Sequence, residues 1–309
     1  MQRQRWLTGV PRSERRSRSG RGTMVLVLIG WLCTLLLGTL CTAAPPQPEE
    51  TLTVAVATFG NERWLPHLYV GAEDVVLKPM YENLLSRDPT TGALIPMLAE
   101  HWESLEGGHA WRFYLRKGVA FHDGQGEMTA EDVKFTFTAI MQDGSANGLA
   151  PEFRLIKSME IDDPYTITLR FEKPFVTFDN RVSQGLFACT GFIHSKKYLE
   201  SVGEEGAERR LVGTGPWKFV EHVRGDRIVF EAVAQHWRAV PHFKRLVILK
   251  VPESATRMAM LQAGSVDVIE IGGEYVAELQ KAGVRTLTMP NVAWLWVILG
   301  GAMAWQADL

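Results

Sequence analysis

The chain has 309 residues, with 33 Lys and Arg against 35 Asp and Glu and a formal net charge of −2. Seven arginines and one acid precede Met24, so the remainder carries 26 basic side chains (33 less seven) and 34 acidic ones (35 less one), near −8. An acidic portion without a basic stripe excludes nucleic-acid binding. No HExxH helix, GxSxG elbow, Gly-Lys phosphate loop or CxxC pair is present, so no enzyme or metal site and no cofactor is expected.

The arginine-rich start is followed by 17 apolar residues, Met24–Leu40, and by the small residues of Cys41–Ala44 before Pro45 and Pro46. That order predicts a secretory signal over residues 1–44 and a periplasmic or otherwise extracytoplasmic location. A span of this length also reaches across a bilayer, so an uncleaved membrane anchor stays open as the alternative. Leu40 stands next to Cys41 where a lipid-bearing cysteine needs a small neighbour, which favours ordinary cleavage. Cleavage removes Cys33 and Cys41 and leaves Cys189 without a disulfide partner.

The roughly 260 residues that follow predict two lobes. Leu52, Val54 and Val56 alternate as a first strand that ends at Thr58, and Gly60, Asn61 and Pro66 break the pattern. A helix is predicted over Glu73–Leu85. Trp111, Phe113 and Leu115 alternate with Arg112, Tyr114 and Arg116, giving a strand, and Phe121–Gly126 a chain reversal in which His122 bonds to backbone. Thr129 opens the next helix as its cap, with Asp132 three residues on and Val133, Phe137, Ile140 and Met141 as one apolar stripe. Carboxylates in such a first turn complement the helix dipole without forming an acidic site. A strand near Ile167 follows a turn at Asp162–Pro164. Further strands are predicted at Trp217–Glu221, Arg227–Ala232 and Leu246–Val251. Two helix-strand units complete the pattern: a helix capped by Ser254 and ended by Gly264, leading into Val266–Ile269, and a helix over Glu274–Lys281 before Val284–Leu287. This alternation predicts mixed α/β sheets.

The stretch WRFYLRKGVAFHDGQGEMTAEDVKFTF (residues 111–137) closely resembles the family 5 extracytoplasmic solute-binding proteins, the receptors of peptide, nickel and related ABC importers. YENLLSRDPTTGALIPMLAEHWE (81–103), KPF (173–175), GTGPWKF (213–219), QHWR (235–238) and ATRMAMLQAGSVDVIE (255–270) match that family in its order. The resemblance implies an α/β, periplasmic-binding-protein-like (type II) bilobal fold. Its expected boundaries are residues 45–93 for the first part of lobe I, 94–171 for an inserted lobe II, 172–287 for the second part of lobe I, and 288–309 for the start of a third lobe. It also implies capture of a small solute such as a peptide, delivery to a membrane permease, and a monomer. Family members are longer, and GGAMAWQADL at the end does not match their continuation, so the final lobe is expected to be largely missing and a truncated, non-binding or interaction-only fragment is the alternative.

Open α/β sheets bind ligands beyond strand carboxyl ends, which makes Phe59, Gly60, Asn61 and Trp64 the first ligand-binding candidates. In peptide-binding relatives the corresponding segment offers backbone hydrogen bonds along the ligand. Trp294 and Trp296, on one face where the family's chain crosses between lobes, are the second, and Gly185–Thr190 the third. Trp217, Trp237 and the scattered histidines read as structural residues.

Overall fold

The computed structural model describes residues 50–184 and 191–287. Residues 1–49, with the export signal expected over 1–44, and Gly185–Thr190, Trp294, Trp296 and the rest of 288–309 lie outside the described residues. β1 (Thr51–Val56) leads through a long loop into the one-turn helix α1 (Asp74–Leu77), then β2 (Leu85–Arg87), β3 (Leu94–Pro96), β4 (Ala99–Leu105) and β5 (Ala110–Leu115). Next come α2 (Ala130–Met141), α3 (Ala150–Phe153), β6 (Ile156–Asp163), β7 (Thr166–Phe171), β8 (Ser183–Gln184) and α4 (Lys196–Arg209). The last elements are β9 (Trp217–Val223), β10 (Arg227–Ala232), β11 (Arg245–Lys250), α5 (Ser254–Gln262), β12 (Val268–Ile269) and α6 (Val276–Lys281).

Three sheets result. A mixed five-stranded sheet has the order β12-β1-β11-β10-β9, a small one the order β3-β2-β8, and an antiparallel one the order β4-β5-β7-β6. In the mixed sheet β1 runs parallel to both β11 and β12, while β10 is antiparallel to β11 and β9. Two apolar clusters fill these layers. Trp111, Phe113 and Leu115 of β5 pack with Ile167 and Leu169 of β7 against Val133, Phe137 and Ile140 of α2. Val56, Phe59, Trp64, Leu77, Met80, Phe230 and Ile248 fill the second cluster beside the mixed sheet.

The helix from Thr129 forms as its capping box dictates: the Thr129 N–H donates to Asp132 Oδ2 at 2.9 Å, and the Thr129 hydroxyl to the same oxygen at 3.1 Å. Asp132 Oδ1 accepts the Lys196 N–H at 2.9 Å, so the carboxylate also fixes the start of α4. Other expectations need correction. The helix foreseen over Glu73–Leu85 stops at Leu77, because Pro79 has no N–H to continue it, and Leu85 instead begins a strand. Ser254 is the first residue of its helix, with Glu253 as the cap. Val284–Leu287 form no strand, and the Val284 N–H is instead taken by Leu279 O at 2.9 Å, at the end of α6. Among the described residues no helix is long and apolar enough to cross a membrane.

Candidate ligand-binding site

The three parallel strands β1, β11 and β12 end on one side of the mixed sheet, and buried side chains fix those ends. Arg257, 3% exposed, donates from Nη1 to the carbonyls of Val251 (2.6 Å) and Pro252 (2.8 Å) and from Nε to that of Glu270 (2.7 Å). One planar guanidinium thereby satisfies carbonyls just past β11 and β12. Beside it, Glu270 Oε2 accepts the Ala57 N–H at 2.9 Å, and the Val251 N–H reaches Val56 O at 2.8 Å.

The chain leaving β1 forms a braced loop. Asn61 donates from Nδ2 to Leu68 O (2.9 Å), and its Oδ1 accepts the Arg63 N–H (2.8 Å). Glu62 is buried with φ of 55° and accepts from His222 Nε2 (3.0 Å), Gly225 N–H (2.9 Å) and Lys250 Nζ (2.9 Å). Burial raises its carboxyl, but Lys250, Gly225 and His222 outweigh that and hold it below the ordinary carboxylate value. Further along, Pro66 O accepts from Asn147 Nδ2 (2.7 Å) and His67 O from the Ala146 N–H (2.8 Å), which ties the loop to the segment before α3.

Phe59 and Trp64 flank this loop with their rings in the core, fully buried and 2% exposed respectively, and Trp64 lies edge-on to His222 at 5.3 Å. Thr58 and Asn61 are the exposed residues of the segment, with Gly60 half-buried between them. The structure thus brings all four sequence candidates of this segment together, two beneath the surface and two at it. Sequence reasoning missed Arg257, Glu62 and Glu73, whose acidic or basic side chains carried no periodicity that marks a buried role.

A cavity of about 550 Å³ lies apart from this loop, between the turn Gly118–Asp123 and the stretch Glu231–Trp237. Its charges are already paired: Lys218 Nζ lies 3.2 Å from Asp123 Oδ1 and 2.7 Å from Glu231 Oε1. Behind it the Gly213–Gly215 crossing is gripped on three sides. His122 accepts the Gly213 N–H at Nδ1 (3.4 Å) and therefore carries its proton on Nε2, 2.8 Å from Gly215 O. His236 Nε2 meets Thr214 O at 2.9 Å. The Thr214 hydroxyl and Trp237 Nε1 each donate to Glu82 Oε2 at 3.0 Å, and Arg238 lies 3.1 Å from Oε1 of the same fully buried carboxylate. A Cβ on Gly213 would lie 2.2 Å from Met80 O, which is why the backbone here is glycine. The YEN, FHDG, GTGP and QHWR motifs thus converge on one structural joint.

The profile of bacterial extracellular solute-binding proteins, family 5, matches residues 93–297. The chain belongs to that family. Its family 5 relatives include heme-binding protein A of Haemophilus influenzae, 31% identical over 65% of this chain and 40% of that protein. The dipeptide-binding protein of Escherichia coli is 27% identical over 80% of this chain and 50% of its own. Among solved structures, the periplasmic binding protein DppA of Helicobacter pylori in complex with the peptide STSA superposes with a TM-score of 0.64 at 26% identity, covering 75% of this chain and 48% of that one. The fold is that of the type II periplasmic binding proteins. The chain spans about half the length of these relatives.

Proposed function

We propose that this family 5 chain is the extracytoplasmic substrate-binding component of an ABC importer, which captures a peptide or similar small solute and delivers it to a membrane permease without covalent chemistry. The reading is carried by one observation: the carboxyl ends of three parallel strands are held rigid, and the loop that leaves β1 presents backbone at the surface over a core of Phe59 and Trp64. The N–H groups of Gly60 and Asn61 are held by Thr58 Oγ1 and Glu73 Oε1, so such a braced edge suits main-chain hydrogen bonding through their carbonyls to an extended ligand, a sequence-tolerant mode. Gly60 and Asn61 are then the ligand-facing residues, with Phe59 and Trp64 as their support, and Trp294 and Trp296 as a further wall. The lobe boundaries given above, an N-terminal export signal and a monomeric state belong to the same proposal. Relatives named for peptides and heme support the solute class.

The test is retention of a ligand. The full chain is mixed with an equimolar pool of synthetic di- to tetrapeptides, passed through a desalting column and examined by native mass spectrometry. One peptide per chain is the expected result. A chain that carries no peptide at millimolar pool concentrations would overturn peptide capture.

A further inference from the structure

Glu73 is fully buried, and backbone N–H groups bind its carboxylate. Its two oxygens are occupied by the two ends of one loop: Oε1 accepts the Asn61 N–H at 2.9 Å and Oε2 the Val70 N–H at 3.2 Å. The residue stands at the start of α1, whose Val76 and Leu77 are buried in the mixed-sheet cluster, and its own carbonyl accepts the N–H groups of Val76 (2.9 Å) and Leu77 (3.0 Å). The carboxylate is thereby held from a fixed base. Gly60 has φ of +69°, and a Cβ there would lie 2.5 Å from Glu73 Oε1, so the loop backbone rests directly against the carboxylate.

Because charge-assisted hydrogen bonds are the stronger kind, the buried carboxylate bridging residues 61 and 70 closes the loop across its ends, beside the bracing at Asn61, Glu62 and Pro66. We infer that Glu73 is the positioning residue of the ligand-facing loop 60–70, which sets the backbone of Gly60 and Asn61 for an extended peptide without touching it. The inference rests on the proposed peptide-binding role for its functional consequence, but not for its geometry.

Trypsin supplies the test, since Arg63–Trp64 is a cleavable bond within the loop and cutting there requires the loop to open. In the full chain, Glu73→Gln should speed cleavage after Arg63 by about tenfold or more, from the loss of one charge-assisted hydrogen bond and the turning of an amide N–H toward a backbone donor. Gly60→Ala, which keeps the charge but displaces the carboxylate, should do the same. Cleavage after Arg112 and Lys134, within β5 and α2, should keep its rate, and peptide retention should fall by about tenfold. An unchanged rate after Arg63 in both variants would overturn the positioning role. Faster cleavage at all three sites with a lowered Tm would also overturn it, in favour of plain structural support. Faster cleavage at Arg63 alone with unaltered peptide retention would support the positioning role and overturn the ligand-facing assignment of the loop.

Discussion

At the residue scale, the buried histidines make stability depend on pH. Burial, with the nearby His67 adding to it, holds the His194 imidazole down to about 3, and burial lowers His122 against the opposing pull of the Gly215 carbonyl and Asp123. A folded-state value below the unfolded one means that acid protonates the unfolded chain first. The stability is therefore complete above about pH 6.5 and is lost progressively as pH falls below it. At pH 5 His194 alone should contribute a loss of about 2 kcal/mol. Urea unfolding at pH 7.5 and 5 should show that difference shrinking by about this amount in His194→Gln, and an identical difference in the variant would refute the assignment. The FHDG turn was legible in the sequence to the extent that His122 was expected to bond backbone, and it does. Its partners Gly213 and Gly215 were not legible, because they are about 90 residues away and only folding brings them near.

At the scale of elements, the best-read segment is α2, where capping chemistry and apolar period agree with each other and with the packing. Phe137 meets Phe153 edge-on at 4.8 Å and is fully buried, so Phe137→Ala should cost about 3–5 kcal/mol in equilibrium unfolding. Thr129→Ala should cost about 1 kcal/mol by the loss of one cap, and a larger loss from the cap than from the ring would contradict the packing described. Gly213→Ala should cost about 1–3 kcal/mol or more, since the new Cβ meets backbone rather than a movable side chain. The helix at Glu73 shows the opposite case. A helix was expected through Leu85, yet Pro79 allows one turn, and the chain spends Met80–Glu82 in contacts with the Gly213–Gly215 joint that no local pattern announces.

At the scale of the whole molecule, family and fold were legible because six motifs occur in order, and the structure explains that order: four of them meet at the joint around Glu82, while ATRMAML supplies Arg257 to the strand ends. The ligand candidates were only partly legible. Hydrophobic residues after a strand end read equally as wall or core, and burial places the rings of Phe59 and Trp64 inside. Trp64→Ala is accordingly a stability variant, with an expected cost of about 3–5 kcal/mol, whereas Asn61→Ala changes only loop contacts at the surface. The central claim is that a captured solute lies against residues 57–64 at the carboxyl ends of the parallel strands. Hydrogen exchange of the full chain with and without a retained peptide tests it most directly. The account predicts slowed exchange confined to residues 57–64 and the neighbouring strand ends. Protection centred instead on the cavity between Gly118–Asp123 and Glu231–Trp237, with none at 57–64, would contradict it.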